Sequence, residues 1–181
     1  MRILVTGHKG FIGGHLTRWL DDCEIEWVGY DLVEGNDIRD YFNLTQTMHK
    51  NGITHVVNLS ARGGVRTSET FKEEYSQTNV LGIFNIVTAC RENGIEKLVS
   101  FSSSSVFGEG NPPTKETDVK KPISHYAHTK LVGERMIEDS GVPYVIIRPF
   151  TVYGKGGRGD MAFYRWINQI KADQPITAVG S

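Results

Sequence analysis

Three glycines near the start of the chain, Gly7, Gly10 and Gly13, constrain its fold more than any other feature. They follow a short apolar run at residues 2–6 and open a segment, residues 10–22, with the apolar spacing of a helix. Glycine allows a tight turn and a close approach of one backbone to another. A strand that turns through closely spaced glycines directly into a helix is typical of the first unit of a doubly wound sheet.

The rest of the chain repeats this alternation. Apolar runs predict strands at residues 25–30, 54–59, 97–102 and 143–148, and amphipathic stretches predict helices at residues 39–50, 69–93, 124–139 and 161–171. Continuous apolar strands separated by helices indicate a parallel sheet that is buried on both faces. We therefore predict an α/β fold, a doubly wound parallel sheet (Rossmann fold) with helices on both faces, in a single domain over residues 1–181.

Composition and charge argue against several classes of protein. The 181 residues carry a formal net charge of −1 without a basic stripe, which argues against nucleic acid binding. No apolar segment is long enough to span a membrane, and no targeting signal precedes the first strand, so we expect a cytoplasmic protein without a membrane partner. Cys23 and Cys90 suggest neither a disulfide framework nor a metal-ligand cluster, and we expect no bound metal.

The glycines also indicate a ligand. A helix N-terminus offers free N–H groups and the positive end of the helix dipole, which together bind the pyrophosphate of a dinucleotide. Asp31 ends the predicted second strand, where a carboxylate can accept hydrogen bonds from both ribose hydroxyls and repels a 2′-phosphate. The sequence therefore predicts a site for NAD rather than NADP. Asp37 and Ile38 are candidate adenine contacts, and an N-cap of the next helix is the alternative for Asp37.

Tyr126 and Lys130 are the candidate catalytic pair. Their i, i+4 spacing places both side chains on one face of the predicted helix. A lysine ammonium beside a phenol favours the phenolate and lowers the phenol pKa, so this tyrosine can act as a general base. Ser103 lies where the predicted fourth strand ends and could relay a proton to Tyr126. Ser104 and Ser105 could bind other substrate hydroxyls; a polar turn is the alternative for all three serines.

Five features in this order, TGHKGFIGG, Asp31, SSSSVFG, YAHTK and RPFTVYG, resemble the NAD-dependent epimerase/dehydratase family of extended short-chain dehydrogenases. Two further strings, NLSARGGVRTS and FTVYGKGGRGDMAFYRW, are similar to segments of the UDP-glucuronate 4-epimerases. The resemblance implies a Rossmann fold, an NAD cofactor and a UDP-linked nucleotide-sugar substrate. Because Ser104 and Ser105 stand where dehydratases of this family carry an Asp-Glu pair, it also argues against dehydration.

The resemblance implies roles for further residues. Asn79 matches the helix asparagine that braces the active site in this family. Arg158 matches an arginine that faces the sugar carboxylate, and Arg66 is a second candidate for binding substrate or a phosphate. The complete set of NAD contacts implied in this way is Gly7, Gly10, Phe11, Ile12, Gly13, Asp31, Asp37, Ile38, Leu59, Ala61, Asn79, Tyr126, Lys130 and Pro149.

Family members continue into a C-terminal region that closes over the nucleotide-sugar, and we expect this chain to lack that region. The function that the resemblance implies first is 4-epimerisation of a UDP-glucuronate-like sugar through a 4-keto intermediate. The alternatives are an NAD-binding module with little or no catalysis, and a net nucleotide-sugar oxidoreductase or dehydratase. The family dimerises through the helices that carry Asn79 and Tyr126, so we expect a homodimer.

Overall fold

In the computed structural model of the chain, the described residues contain five parallel strands that form one sheet. They are β1 Ile3–Thr6, β2 Trp27–Tyr30, β3 His55–Asn58, β4 Lys97–Phe101 and β5 Tyr144–Ile147. Their order across the sheet is β2-β1-β3-β4-β5. The chain therefore winds in one direction from β1 to β2 and in the other from β3 to β5. In such sheets the crevice beyond the carboxyl ends of the two strands at the reversal, here β1 and β3, is where ligands bind.

The described residues contain seven α-helices, and the first six connect and flank the strands. They are α1 Phe11–Asp22, α2 Tyr41–Lys50, α3 Val65–Thr70, α4 Lys72–Ser76, α5 Gly82–Glu92, α6 His125–Glu138 and α7 Ala162–Lys171. A π-helical segment, Gln77–Leu81, joins α4 to α5, and short 3₁₀ turns occupy Leu32–Glu34 and Ser104–Phe107. The alternation of strands and helices confirms the predicted α/β class.

The two faces of the sheet have separate hydrophobic clusters. Leu4 of β1 packs into the larger cluster, with side chains from α2, α5 and α6. Its neighbours Ile3 and Val5 pack into the smaller cluster, with Leu20 of α1. Because successive side chains of a strand point to opposite faces, this division confirms that helices cover both sides of the sheet.

The helix predicted over residues 69–93 is continuous only from Lys72 to Glu92, through α4, the π-helical segment and α5, and its predicted start is wrong. Helix α3 already begins at Val65, and the chain breaks at Phe71, whose φ of −113° and ψ of 46° are not helical. Side chains in α3 compete for its backbone acceptors, because Ser68 Oγ donates to the carbonyl of Val65 at 2.6 Å and Thr67 Oγ1 donates to the carbonyl of Gly64 at 3.3 Å. The break leaves α3 as a separate helix that packs against α6.

The structure describes residues 1–110, 112–157 and 159–176. It separates into two compact units, Met1–Phe150, which contains the sheet, and Thr151–Ser181, which contains α7. Within the second unit, the hydroxyl of Tyr164 accepts a hydrogen bond from the backbone N–H of Gly157 at 2.9 Å. None of the helices in these described ranges has the length and apolar character needed to cross a membrane. The single domain over residues 1–181 stays a prediction.

Candidate functional site

The turn between β1 and α1 brings backbone against backbone. Gly7 has a φ of +72°, and a Cβ atom there would lie 2.8 Å from the backbone nitrogen of Ser60. A Cβ atom on Gly13 would lie 2.3 Å from the carbonyl oxygen of Gly7. The turn therefore requires glycine at both positions. It sets the start of α1 at the carboxyl end of β1, where Gly10 is the N-cap and no described side chain caps the helix. The first N–H groups of α1 are thus available to an anion.

A groove of about 360 Å³ lies beside this turn. Its volume lies within the usual range for small-molecule sites. Seven of the residues predicted to contact a cofactor line it, namely Gly7, Gly10, Asp31, Asp37, Ile38, Leu59 and Ala61. The sequence analysis missed a further set of lining residues, which are Lys9, Leu32, Val33, Asn36, Arg39, Ser60, Arg62, Glu74 and Thr78. Lys9 stands inside the glycine string and could have been found there, whereas most of the others lie on connecting segments whose course the sequence does not reveal.

Asp31 is fixed in the groove by the glycine turn and by its own loop. Its Oδ2 accepts from the backbone N–H of Lys9 at 2.9 Å, and its Oδ1 accepts from that of Val33 at 3.2 Å. A carboxylate has about four acceptor positions, so each oxygen can still accept a bond from a ligand hydroxyl.

Asp37 is paired with a cation at the same groove. Its Oδ2 lies 2.5 Å from Nη2 of Arg39, and hydrogen bonds from Arg39 hold the pKa of this carboxyl below its ordinary value. The alternative N-cap role for Asp37 is wrong. Helix α2 begins two residues later than predicted, at Tyr41, and Asp40 caps it by accepting from the backbone N–H of Asn43 at 3.0 Å.

Tyr126 and Lys130 lie one turn apart on α6, near the carboxyl end of β4. Lys130 is 7% exposed, and its Nζ donates to the carbonyl of Phe101, the last residue of β4, at 2.5 Å. Ser103 follows two residues later, and α6 packs against the 3₁₀ turn Ser104–Phe107. Burial lowers the pKa of Lys130 to about 8, although Glu134 on the next turn of α6 opposes this effect. At neutral pH the lysine therefore still carries a proton.

The serines after β4 form a capped turn. Ser103 is the N-cap, and its Oγ accepts from the backbone N–H of Ser105 at 3.2 Å and from the Ser105 hydroxyl at 2.9 Å. Ser103 Oγ is the acceptor in both bonds, so its hydroxyl can still donate a hydrogen bond of its own. The backbone N–H of Ser104 donates to the carbonyl of Pro149 at 3.1 Å, which brings Pro149 to the same edge of the sheet.

Helix α3 holds the start of α6 in place. Ser68 Oγ accepts from the backbone N–H of Tyr126 at 3.0 Å, and Glu69 Oε1 accepts from that of His125 at 2.7 Å. Ser124, the N-cap of α6, accepts from the N–H of Ala127 at 3.1 Å. Three N–H groups that a helix start leaves unbonded are thus satisfied, two of them from α3. The two contacts from α3 join residues 56 and 58 positions apart, and no sequence signal predicted them.

The aromatic ring of Tyr126 also has a neighbour from the preceding helices. Tyr75, which is 2% exposed, lies edge-on to it with the ring centroids 6.3 Å apart. The Tyr75 hydroxyl donates to the carbonyl of Gly63 at 2.8 Å, so this ring is itself anchored. Edge-to-face contact with an anchored ring restricts the orientation of Tyr126.

Asn79 joins the groove to α6. Its Oδ1 accepts from the backbone N–H of Arg62 at 2.8 Å, and its Nδ2 donates to the Arg62 carbonyl at 3.1 Å and to Thr129 Oγ1 at 3.1 Å. The side chain is 2% exposed. It therefore connects the loop after β3 with the helix that carries Tyr126 and Lys130.

The other residues that the sequence analysis predicted for the site lie on different elements. Phe11 and Ile12 form the first turn of α1, and Arg66 lies exposed on α3. Arg158 lies outside the described residues. Substrate contacts by these arginines and by Ser104 and Ser105 stay predictions, as do the catalytic roles of Ser103, Tyr126 and Lys130.

Comparison with known proteins identifies relatives across the whole chain. The NAD dependent epimerase/dehydratase family matches residues 3–181. The chain is 35% identical to the uncharacterized UDP-glucose epimerase YtcB of Bacillus subtilis (strain 168), over 99% of this chain and 66% of that protein. It is 34% identical to the UDP-glucuronate 4-epimerase of Thermodesulfobacterium geofontis, over 98% of this chain and 64% of that protein.

A solved structure has the same fold. The UDP-glucuronic acid 4-epimerase from Bacillus cereus, in complex with UDP-glucuronic acid and NAD, superposes with a TM-score of 0.88 at 34% identity. The match covers 100% of this chain and 66% of that one. The chain thus spans slightly less than two thirds of the length of these relatives.

Proposed function

Because this chain belongs to the NAD dependent epimerase/dehydratase family, we propose that it is an enzyme that binds NAD and epimerises a UDP-linked sugar at C4. UDP-glucuronate is the first candidate substrate, since relatives named for it match nearly the whole chain. The observation that carries the proposal is the bond from Lys130 to the last carbonyl of β4. It sets this ammonium, with Tyr126 one turn away on α6 and Ser103 two residues beyond β4, at the sheet edge where such folds bind ligands.

The residues around the groove fit a dinucleotide. The uncapped start of α1 offers N–H groups to a pyrophosphate, at a turn where side chains at residues 7 and 13 would collide with backbone. Asp31 keeps acceptor positions for two ribose hydroxyls, and its charge disfavours a 2′-phosphate. These features support NAD as the cofactor.

The chemistry follows from the side chains. When bound, NAD supplies the site that accepts the hydride from C4 of the sugar and later returns it. Tyr126 takes the proton of the 4-hydroxyl as general base, while the hydroxyl of Ser103 keeps its proton and donates a hydrogen bond to the same oxygen. The Lys130 ammonium stabilises the phenolate form of Tyr126. After the 4-keto sugar has turned its other face to the cofactor, Tyr126 returns the proton and the inverted alcohol is complete.

The proposal is tested by incubating the chain with NAD and UDP-glucuronate and separating the nucleotide-sugars. We expect UDP-galacturonate to form without a net change in the absorbance of reduced cofactor, because an epimerase returns the hydride that it removes. A steady change in that absorbance contradicts epimerisation and indicates a net oxidoreductase. A folded sample that binds NAD but converts none of the sugar contradicts catalysis by this chain and favours an NAD-binding module.

We also propose that two copies of the chain associate through α5 and α6, which pack against each other. Exposed apolar side chains on this part of the surface support the proposal: Leu81 is 45% exposed, Phe84 54% and Val132 42%. Light scattering at micromolar concentration is expected to give the mass of a dimer, and Phe84→Glu to shift it to that of a monomer. A monomeric mass for the unchanged chain would refute this.

A cytoplasmic location also stays a prediction.

A further inference from the structure

A carboxylate outside the predicted site lies next to the groove. Glu34 ends the 3₁₀ turn that directly follows Asp31. Its Oε1 lies 2.8 Å from Nζ of Lys9, and its Oε2 lies 3.2 Å from Nε2 of His8. Both partners belong to the glycine turn between β1 and α1. Glu34 therefore bridges the loop after β2 and the turn that we propose for the pyrophosphate.

Lys9 is a cation beside the proposed ribose site. Its backbone N–H donates to Oδ2 of Asp31, and it lines the groove. An ammonium group here would attract a phosphate on the 2′-oxygen of the ribose, because lysine is a common phosphate ligand. The same lysine would then weaken the discrimination against NADP that Asp31 provides.

The surroundings of Glu34 hold it against Lys9. His8 is 6% exposed and lies over β2, where a Cβ atom at Gly29 would come within 2.5 Å of its ring. The ring is also packed against Trp27, with centroids 5.7 Å apart. This fixed imidazole gives Glu34 a second contact besides Lys9. The hydrogen bond from Lys9 holds the pKa of Glu34 below its ordinary value, so the carboxyl stays charged at neutral pH.

We propose that Glu34 is a second determinant of cofactor choice, which acts by occupying Lys9. The ion pair keeps the lysine from binding a 2′-phosphate and places another negative charge beside Asp31. Discrimination against NADP thus rests on two carboxylates: Asp31 at the ribose hydroxyls and Glu34 on the neighbouring cation. This inference rests on the proposed NAD site and names the residues that set its selectivity.

Titration calorimetry of the full chain with NAD and with NADP tests the inference. Glu34→Gln keeps an oxygen that can accept from His8 but loses the charge that holds Lys9. We expect this variant to bind NADP about five- to tenfold more tightly and NAD within about twofold of the unchanged chain, the scale of one or two exposed charge interactions. The gain should shrink at about 0.5 M salt, because exposed charges are screened there.

Two further variants test whether Glu34 affects the NADP affinity through Lys9. In Lys9→Met/Glu34→Gln the gain in NADP affinity should disappear, since no freed lysine remains. Lys9→Met alone should bind NADP more weakly than the unchanged chain, because Glu34 is then an uncompensated negative charge, and it tests the idea even where Glu34→Gln is poorly folded. An equal gain in the double variant, or no gain in Glu34→Gln, overturns the inference while leaving NAD binding intact. An unchanged chain that binds neither dinucleotide overturns the proposed function along with it.

Discussion

Tyr126→Phe is expected to lower the rate of sugar conversion by about 10²- to 10⁴-fold, the usual contribution of a general base. The substitution removes only the hydroxyl that we propose as the general base. The ring keeps its edge-on contact with Tyr75, and the backbone N–H keeps its bond to Ser68. Folding should therefore change little. The measurement compares kcat and KM for UDP-glucuronate with the dissociation constant of NAD, and the loss should lie in kcat.

Tyr144→Phe is the matched control. Tyr144 is the first residue of β5 and is 40% exposed, so losing its hydroxyl should leave the rate within about twofold, as expected for a surface change. Retention of more than about a tenth of the activity in Tyr126→Phe would rule out this tyrosine as the general base.

Glu134→Ala is expected to lower the free energy of unfolding by about 3–5 kcal/mol, as is usual when one partner of a buried ion pair is removed. Glu134 is 1% exposed and accepts from Arg148 Nε at 2.8 Å and from Arg148 Nη2 at 2.9 Å. Its Oε2 also lies 2.6 Å from Nζ of Lys120. The substitution would leave these two cations, whose side chains are 17% and 13% exposed, without their shared buried carboxylate. Urea unfolding measures the loss.

A second carboxylate of the same cluster is the control. The side chain of Glu138 is 24% exposed and contacts Lys120 and Arg135. Because Lys120 keeps Glu134 when Glu138 is removed, Glu138→Ala should cost only about 1 kcal/mol or less. Equal losses of unfolding free energy in the two variants would show that burial does not determine how much Glu134 contributes to stability.

The loss of unfolding free energy caused by Glu134→Ala should depend on pH. Burial by itself raises the pKa of Glu134, but hydrogen bonds from Arg148 and Lys120 outweigh it and hold the pKa below its ordinary value of 4.5. A carboxyl whose pKa is lower in the folded state contributes full stability above its unfolded pKa and loses that contribution as pH falls through the folded pKa. The difference between the two proteins should therefore be constant near neutral pH and shrink below about pH 4.5. A difference that persists undiminished at about pH 2 would contradict this assignment.

Local patterns in the sequence were sufficient to predict the parallel sheet and several groove residues. The spacing of Gly7, Gly10 and Gly13 encodes a turn that involves only a dozen residues, and the i, i+4 spacing of Tyr126 and Lys130 is likewise a property of one helix. Contacts between distant segments were not predictable in this way. The capping of Tyr126 by Ser68 depends on a break at Phe71 that is not evident from apolar periodicity. The pair formed by Lys9 and Glu34 depends on the path of the loop after β2.

The amide of Asn79 has a consequence for redesign of this scaffold. It binds both the N–H and the C=O of one residue, Arg62 in the groove wall, while also holding Thr129 on α6. These three hydrogen bonds link that wall to the helix that carries Tyr126. A groove reshaped for another ligand would have to keep the Arg62 backbone in place or give up these hydrogen bonds. An aspartate at residue 79 would break this linkage, because it would set a carboxylate oxygen against the Arg62 carbonyl.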